Sequence, residues 1–173
     1  MAPNLDFVQH SIEPVFDTSS VVLVLGTMPS PASRKIGFYY GHKQNRFWRV
    51  LAKLWQEPVP QSIAEKKRFA LDHKVALWDV LASCDIAGAS DASIVNPKPN
   101  DLSRIFSNAP IQSVCTTGSR ATQLFQKFQA PLFPNITHIA LPSTSSANAR
   151  MSFEALVEAY QPLRKAVENL SVL

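Results

Sequence analysis

The sequence has few cysteines and no long apolar run, and these absences exclude several classes of protein. Cys84 and Cys115 are the only cysteines among 173 residues. They are too few for a four-thiolate iron–sulfur cluster or an all-cysteine zinc site, and they form no Cys-x-x-Cys pair. We expect two reduced thiols in a cytosolic protein. No apolar run reaches 18 residues and no basic segment followed by an apolar stretch opens the chain, so neither a membrane span nor a secretory signal is predicted.

Glycine-rich nucleotide-binding motifs are also absent. Only five residues are Gly, and the chain contains neither a Gly-x4-Gly-Lys-Ser/Thr loop nor a Gly-x-Gly-x-x-Gly segment after its first apolar run. ATP and dinucleotide binding are therefore disfavoured, and we expect neither a cofactor nor a metal. Acidic residues are in the minority, with Lys plus Arg 17 against Asp plus Glu 13 and a net charge of +4. This balance fits a polyanionic partner without establishing one.

Four short apolar runs predict a parallel sheet. Residues 21–26 read VVLVLG, which is typical of a strand buried on both faces. Weaker runs lie at residues 75–80, Ser113–Thr117 and 136–141, spaced widely enough to hold a helix between each pair. With 46% hydrophobic and 17% charged residues, the chain is predicted to be one domain, residues 1–173. We expect an α/β fold, a three-layer α/β/α sandwich with a central, mostly parallel four-stranded sheet.

Helical spacing of apolar residues predicts five helices, at residues 45–54, 62–71, 101–108, 120–128 and 152–169. Ser62 and Glu65 form a capping-box pattern, Ser119 is a possible cap, and Pro162 is expected to kink the last helix. Residues 58–60 and 96–100 are expected to be loops. Trp78 and Asp79 are expected to be a core tryptophan and a helix-capping aspartate, with pocket lining as the alternative. His138 is expected to be a satisfied core histidine.

Two unusual segments follow the first and last predicted strands, where open parallel sheets bind their ligands. The first reads GTMPSPAS from residue 26, and then GFYYGHKQNRFW from residue 37. It is also compatible with a turn and a helix capped by Asn45, with Tyr39 and Tyr40 in the core and Lys43 and Arg46 on a solvated face. The second reads LPSTSSANAR from residue 141. Its hydroxyls suit phosphate oxygens, or a turn that caps the last helix.

Together these segments resemble the two active-site motifs of the uracil-DNA glycosylase superfamily, closest to its hypoxanthine-DNA (deoxyinosine) glycosylase branch. The matching stretches are LGTMPS from residue 25, FYYGH from residue 38, NRFW from residue 45 and LPSTS from residue 141. The order of strands and helices agrees as well, so the resemblance spans nearly the whole chain. It implies an enzyme that flips a deaminated base out of DNA and hydrolyses its N-glycosidic bond in base excision repair.

The resemblance implies a base pocket formed by Gly26, Thr27, Met28, Tyr40 and His42. Tyr40 is the expected stacking ring, with Tyr39 as the weaker candidate. Gly26 lets the backbone approach the base edge. His42 would stabilise the leaving base, cap a turn or contact a phosphate.

Two positions depart from the pattern of the superfamily. Met28 stands where many members have an Asp or Asn that holds the attacking water, and Leu141 stands where some have a His. Neither side chain can perform that task. The resemblance therefore assigns the catalytic role to Asn45, whose amide would accept a hydrogen bond from the water and orient it toward C1′ without acting as a base.

The resemblance also implies a DNA-binding surface on the loop that follows the last strand. Ser143 and Ser145 would grip phosphates beside the flipped nucleotide, and Asn148 would fill the vacated space or touch the opposite base. Lys43 and Arg150 would contact phosphates and mainly change affinity and salt dependence. The whole expected DNA-binding set is Lys43, Ser143, Thr144, Ser145, Asn148 and Arg150.

The expected partner is double-stranded DNA that contains deaminated bases, with single-stranded DNA as a second possibility. We expect a monomer in the cytoplasm, associated with the nucleoid if the source is bacterial. Two alternatives stay open at this point. A non-catalytic binder of damaged or single-stranded DNA would explain Met28 and Leu141, and a hydrolase or transferase of free nucleosides would act without salt-dependent DNA affinity.

Overall fold

Four parallel strands form the central sheet of the protein. A computed structural model describes residues 2–169. The seven strands are β1 (Asp6–Gln9), β2 (Val22–Gly26), β3 (Val75–Asp79), β4 (Leu81–Ala87), β5 (Ser90–Pro99), β6 (Ser113–Thr117) and β7 (Thr137–Leu141). The central sheet has the order β3-β2-β6-β7, all parallel. The predicted α/β class with four parallel strands is confirmed, and each predicted run agrees with its strand to within one residue.

The apolar composition of β2 explains its central position. All five of its residues are buried, as are those of β3 and β6 beside it. Gly26 pairs with Asp79, and Thr117 pairs with Leu141. The carboxyl ends of the four strands therefore meet at one edge of the sheet, so polar residues directly after them are brought close together.

Seven helices surround this sheet within residues 2–169. They are α1 (Pro31–Ile36), α2 (Phe47–Trp55), α3 (Ile63–Asp72), α4 (Ser103–Phe106), α5 (Ser119–Phe128), α6 (Phe153–Ala159) and α7 (Gln161–Glu168). Ser62 caps α3 as predicted by accepting from the Glu65 N–H at 3.0 Å, and the Glu65 carboxylate accepts from the N–H of Gln61 rather than of Ser62. None of these helices is long and apolar enough to cross a membrane.

Three helix predictions were wrong in detail. Gly118, at φ +95°, is the residue before α5, so Ser119 begins the helix rather than capping it. The helix predicted at residues 152–169 is divided into α6 and α7, because Pro162 lacks the N–H that a continuous helix needs and is favoured in a first turn. The segment at residues 101–108 is helical only over α4. Residues 31–36, placed in a loop, form α1, with the Ser30 side chain as its cap.

A second sheet was not predicted. The antiparallel strands β1, β4 and β5 form it in the order β1-β4-β5. Residues 96–99, expected in a loop, belong to β5. The two prolines in this stretch are tolerated because β5 is an edge strand, whose outer N–H groups need no partner. Residues 58–60 lie in a loop as predicted.

Candidate active site

A cavity of about 910 Å³ opens at the carboxyl edge of the central sheet. This volume lies within the range typical of small-molecule sites. Its walls come from the end of β2 and the segment after it, the turn between β4 and β5, and the loop after β7. Nine of the predicted site residues line it: Gly26, Thr27, Met28, Tyr40, His42, Asn45, Ser143, Ser145 and Asn148. Lys43, Thr144 and Arg150 do not.

Gly26 is at the floor of the cavity and has no room for a side chain. A Cβ at this position would lie 2.6 Å from Oδ1 of Asp79 and 3.5 Å from the Tyr40 hydroxyl. Distances under 3.0 Å are essentially never seen for real Cβ atoms. The absence of a side chain at Gly26 therefore lets the Asp79 carboxylate and the Tyr40 hydroxyl converge beside the backbone of β2.

Tyr40 is fixed on one face and half-buried. Its ring stacks on Phe47 with centroids 3.7 Å apart and planes inclined by 14°. Its hydroxyl shares a 3.2 Å hydrogen bond with the Thr117 hydroxyl. Its backbone φ of +54° lies in the left-handed region, which non-glycine residues rarely adopt. A base can stack only on the ring face that Phe47 leaves free. Burial raises the pKa of the Tyr40 hydroxyl, and the nearby Asp79 carboxylate raises it further.

Tyr39, the weaker stacking candidate, belongs to the core. It is buried, and its hydroxyl donates to the backbone carbonyls of Ile12 and Glu13. The Trp48 indole N–H donates to the Tyr39 carbonyl at 3.1 Å. Tyr39 borders the cavity, but its buried ring belongs to the core and anchors the segment that carries Tyr40.

The structure changes the hydrogen-bonding role expected of Asn45. Its Oδ1 accepts from the Phe47 N–H at 2.9 Å and from the Thr144 hydroxyl at 2.8 Å. Because a backbone N–H can only donate, the Phe47 contact fixes Oδ1 as the inner atom of the amide. Both lone pairs of Oδ1 are then engaged, so the expectation that Asn45 accepts from water does not hold. Nδ2, which makes no hydrogen bond to another residue in 2–169, is the atom left for a ligand in the cavity.

Thr144 was wrongly placed in the DNA-binding set. Only 2% of its surface is exposed, so it cannot touch a DNA strand directly. Its hydroxyl donates to Asn45, and its carbonyl accepts from the Arg46 N–H at 3.0 Å. Thr144 therefore joins the segment before α2 to the loop after β7, and its action on DNA is indirect.

The loop after β7 is held by its own side chains. The Ser145 N–H donates to the Ser143 Oγ at 3.1 Å, and the Ala147 N–H donates to the Ser145 Oγ at 3.2 Å. Asn148 donates from Nδ2 to the Ser143 carbonyl at 3.0 Å. Both serine hydroxyls keep their own proton for a ligand. Arg150 and Lys43 are both exposed.

His42 and Met28 line the cavity with the chemistry that their side chains allow. The exposed His42 accepts from the Gln44 N–H through Nδ1 at 3.1 Å, which is the turn-capping alternative. A neutral ring then carries its proton on Nε2. The Met28 thioether offers no donor, while Leu141 is buried and does not line the cavity.

His138 shares a 2.9 Å hydrogen bond with the Thr116 hydroxyl through Nε2. It is therefore satisfied as predicted, although it is only half-buried.

Two carboxylates, Asp79 and Asp91, line the cavity; pocket lining was the alternative expectation for Asp79, and Asp91 was not predicted at all. Asp79, at the end of β3, is only 5% exposed. It does not cap a helix as expected, because its Oδ2 lies 2.8 Å from Nε2 of His10. Trp78 beside it is buried in the core, as expected. Asp91 is the second residue of β5. Burial raises the pKa of the Asp91 carboxyl, and Asp79 raises it further. The position of Asp79 directly after a strand was the available signal, whereas His10 and Asp91 carried none.

No group of three or more His, Cys, Asp or Glu side chains within residues 2–169 is arranged to hold a metal ion. The site described by these residues is an open polar cavity with one aromatic platform, a free amide donor and flanking hydroxyls. Such a constellation suits recognition of a heterocycle by stacking and hydrogen bonding.

Comparison with known proteins assigns the family. Residues 13–169 match the family model described as the uracil DNA glycosylase superfamily. The chain is similar to two proteins called hypoxanthine DNA glycosylase. One, from Methanosarcina acetivorans, is 30% identical over 84% of this chain and 91% of its own length. The other, from Methanosarcina barkeri, is 34% identical over 82% of this chain and 89% of its own length.

A solved structure supports the same conclusion. A Methanosarcina acetivorans protein determined by solution NMR, described as a candidate uracil DNA glycosylase, superimposes with a TM-score of 0.79 at 25% identity and covers 93% of this chain and 99% of its own. The protein is thus a DNA N-glycosylase by class. It belongs to the uracil DNA glycosylase superfamily.

Proposed function

We propose that the protein is a monofunctional DNA glycosylase that flips a deaminated base, hypoxanthine or uracil, into the cavity and hydrolyses its N-glycosidic bond. One observation carries the proposal. Segments that begin at Gly26 and at Ser143, more than a hundred residues apart, line the same cavity together with Tyr40 and Asn45. The names of the Methanosarcina relatives favour hypoxanthine among the deaminated bases.

A flipped base would enter between Tyr40 and the end of β2. A mismatched base is flipped at a lower unstacking cost than a paired one, so selection for deaminated bases begins before the base reaches the pocket. The base would then stack on the open face of Tyr40, with its edge against the backbone of Gly26 and Thr27. The absence of a Gly26 side chain permits that approach.

Hydrolysis requires a water molecule at C1′ and a base that departs with the bonding electron pair. The C1′–N bond breaks, the water oxygen bonds to C1′, and one water proton is released as the base takes a proton. We assign the placement of the water to Asn45, with Nδ2 donating to one lone pair of the water oxygen so that the other faces C1′. Because an amide does not titrate, Asn45 contributes no pH dependence. No lysine among residues 2–169 lines the cavity, so a Schiff base and strand cleavage are not expected.

The partner in this proposal is duplex DNA carrying the damaged base, bound by one protein molecule. Lys43 and Arg150 are exposed and are next in the chain to the cavity-lining residues His42 and Met151, so a DNA backbone at the cavity can reach them. We expect affinity to fall with rising salt, because neutralised phosphates release counterions. A cytoplasmic enzyme of this kind would also meet single-stranded DNA, which presents its bases without the cost of unpairing.

The test is single-turnover incubation with labelled duplexes that contain hypoxanthine, uracil, xanthine or thymine opposite G or T, followed by alkali. Strand breaks that appear only after alkali, and at hypoxanthine or uracil, are the expected result. Asn45→Ala should lower the rate by at least about a hundredfold and leave DNA binding intact. The matched control is Asn108→Ala, at an exposed asparagine that follows α4 and does not line the cavity, and this variant should retain the full rate. Salt-sensitive binding without base release from any duplex would overturn the proposal.

A further inference from the structure

Arg46 is half-buried beneath the loop after β7, and its side chain is bound there by backbone carbonyls alone. Nη1 donates to the Met151 carbonyl at 2.5 Å, and Nη2 donates to those of Ser145 and Asn148 at 3.2 and 3.0 Å. The sequence alternative that placed Arg46 on a solvated face is wrong. Within residues 2–169 no carboxylate lies in ion-pair distance of the guanidinium. Its positive charge is therefore not neutralised by the protein and is directed at this loop.

The hydrogen bonds from Arg46 to these carbonyls also set the direction of the N–H groups of the loop. All peptide bonds in residues 2–169 are trans, and in a trans peptide the carbonyl of one residue and the N–H of the next point in opposite directions. The carbonyls of Ser145 and Asn148 point at Arg46, so the N–H groups of Ser146 and Ala149 point away from it. Both of these residues are exposed, and neither N–H has a hydrogen-bond partner in the described chain. Two unpartnered N–H groups on the same side of one loop can donate to a common anion, as backbone N–H groups do in anion-binding turns.

We propose that Arg46 is a positioning residue that holds the N–H groups of Ser146 and Ala149 toward one phosphodiester of the bound DNA. The inference rests on the proposed function, because it supplies the phosphate grip for that same site. The guanidinium acts through the loop and does not itself touch DNA. Its planar fork reaches three carbonyls at once, which a lysine ammonium on a flexible stem cannot reproduce. The backbone N–H of Arg46 donates to the Thr144 carbonyl, and the Thr144 hydroxyl donates to Asn45. The loop that would hold the phosphate is therefore connected to Asn45, the residue before Arg46.

The experiment combines protein variants with single neutral linkages in the DNA. A series of hypoxanthine duplexes carries a methylphosphonate in place of one phosphate at a time around the lesion, and equilibrium binding is measured for wild type, Arg46→Lys, Arg46→Met and Arg49→Met. Arg49 is the matched control, because it is exposed on α2, the helix that directly follows Arg46, and its side chain makes no hydrogen bond to the loop after β7. Thermal unfolding of each variant establishes that it is folded.

For wild type we expect one linkage whose neutralisation weakens binding by about tenfold, the scale of a charge-assisted hydrogen-bond set. In Arg46→Lys the same neutralisation should weaken binding by less than about twofold, because the phosphate contact is already lost, and the two changes should be non-additive. Arg49→Met should retain the full tenfold response. A general loss of folding would not erase the response at one linkage only.

Additive losses at every linkage, or a wild-type response in Arg46→Lys, would overturn the inference. Arg46→Lys serves as the decisive variant if Arg46→Met does not fold. The two proposals fail differently. If wild type releases no base from any duplex, the proposed function fails, whereas base release by wild type with an unchanged response in Arg46→Lys removes only the role of Arg46.

Discussion

The Thr144 hydroxyl donates to Oδ1 of Asn45 across 2.8 Å and connects two segments that are 99 residues apart in the chain. The Thr144 hydroxyl and the Phe47 N–H together occupy Oδ1 of Asn45. One of the two hydrogen bonds that orient the Asn45 amide therefore comes from the loop that would touch DNA. Movement of that loop would therefore reach directly the amide to which we assign the placement of the water. This relationship explains why a buried threonine lies between two serines that are accessible to a ligand.

Replacing Thr144 by valine should lower the rate of base release without weakening DNA binding. Valine keeps the shape but removes the donor to Asn45, so the amide loses one of the two bonds that orient it. We expect a rate about tenfold lower and a free energy of unfolding lower by about 1 kcal/mol, measured by single-turnover kinetics and urea titration. Ser143→Ala is the contrast, because it should change affinity rather than rate. A Thr144→Val protein with full rate and weakened binding would contradict this role.

Replacing Gly26 by alanine should disable the site by displacing Asp79. The new Cβ would lie 2.6 Å from the Asp79 Oδ1, while His10 holds the other carboxylate oxygen. We expect a loss of about 1–3 kcal/mol in the free energy of unfolding and a large fall in base release. Gly37→Ala is the control. Its φ of +76° makes alanine unfavourable, but the added atom meets nothing within 4 Å. It should lose comparable stability and retain its rate.

The sequence predicted those parts of the molecule in which local composition and position agree. The apolar run ending at Gly26 specified the central strand, and the polar segments after it and after Leu141 had to meet because the strands are parallel. The antiparallel sheet escaped prediction for a local reason: Pro97 and Pro99 argue against a strand unless it is known to be an edge strand. Edge position is a tertiary property that a single run of residues does not encode.

The site was predicted by residue type more successfully than by hydrogen-bond role. Asn45 and Tyr40 do line the cavity, yet only the structure shows that the Asn45 oxygen is engaged and that one face of Tyr40 is covered. Arg46 resembled a surface cation because its partners are backbone carbonyls, which carry no signature in side-chain sequence. His10 is 69 residues from Asp79, and no local motif relates them.

Removing His10 should destabilise the protein by leaving Asp79 without its partner. The side chains of His10 and Asp79 are only 4% and 6% exposed, so water cannot replace the lost hydrogen bond fully. We expect His10→Ala to lower the free energy of unfolding by about 3 kcal/mol. The double variant His10→Ala/Asp79→Asn should be less destabilised than the sum of the single changes, because the orphaned charge is removed. Additive losses would show that the pair is not coupled. His42→Ala, at an exposed histidine, should change stability by less than about 0.5 kcal/mol.

The three tyrosines should make the protein unstable at high pH without titrating in its folded state. Burial raises the pKa of Tyr39, Tyr40 and Tyr160 above the ordinary value of 10.0. The folded state then holds these protons more tightly than the unfolded state does, so the stabilisation is complete below pH 10 and declines as the pH rises further. Absorbance at 295 nm should show no tyrosinate at pH 10 while circular dichroism remains native, and then one cooperative step in which the tyrosines ionise as the fold is lost. Because the chain contains only these three tyrosines, a separate tyrosinate signal near pH 10 in the folded protein would contradict the raised pKa of at least one of them. The variant Tyr160→Phe, which loses the hydrogen bond to the Pro142 carbonyl, should reduce the height of that step by one third and leave its cooperativity unchanged.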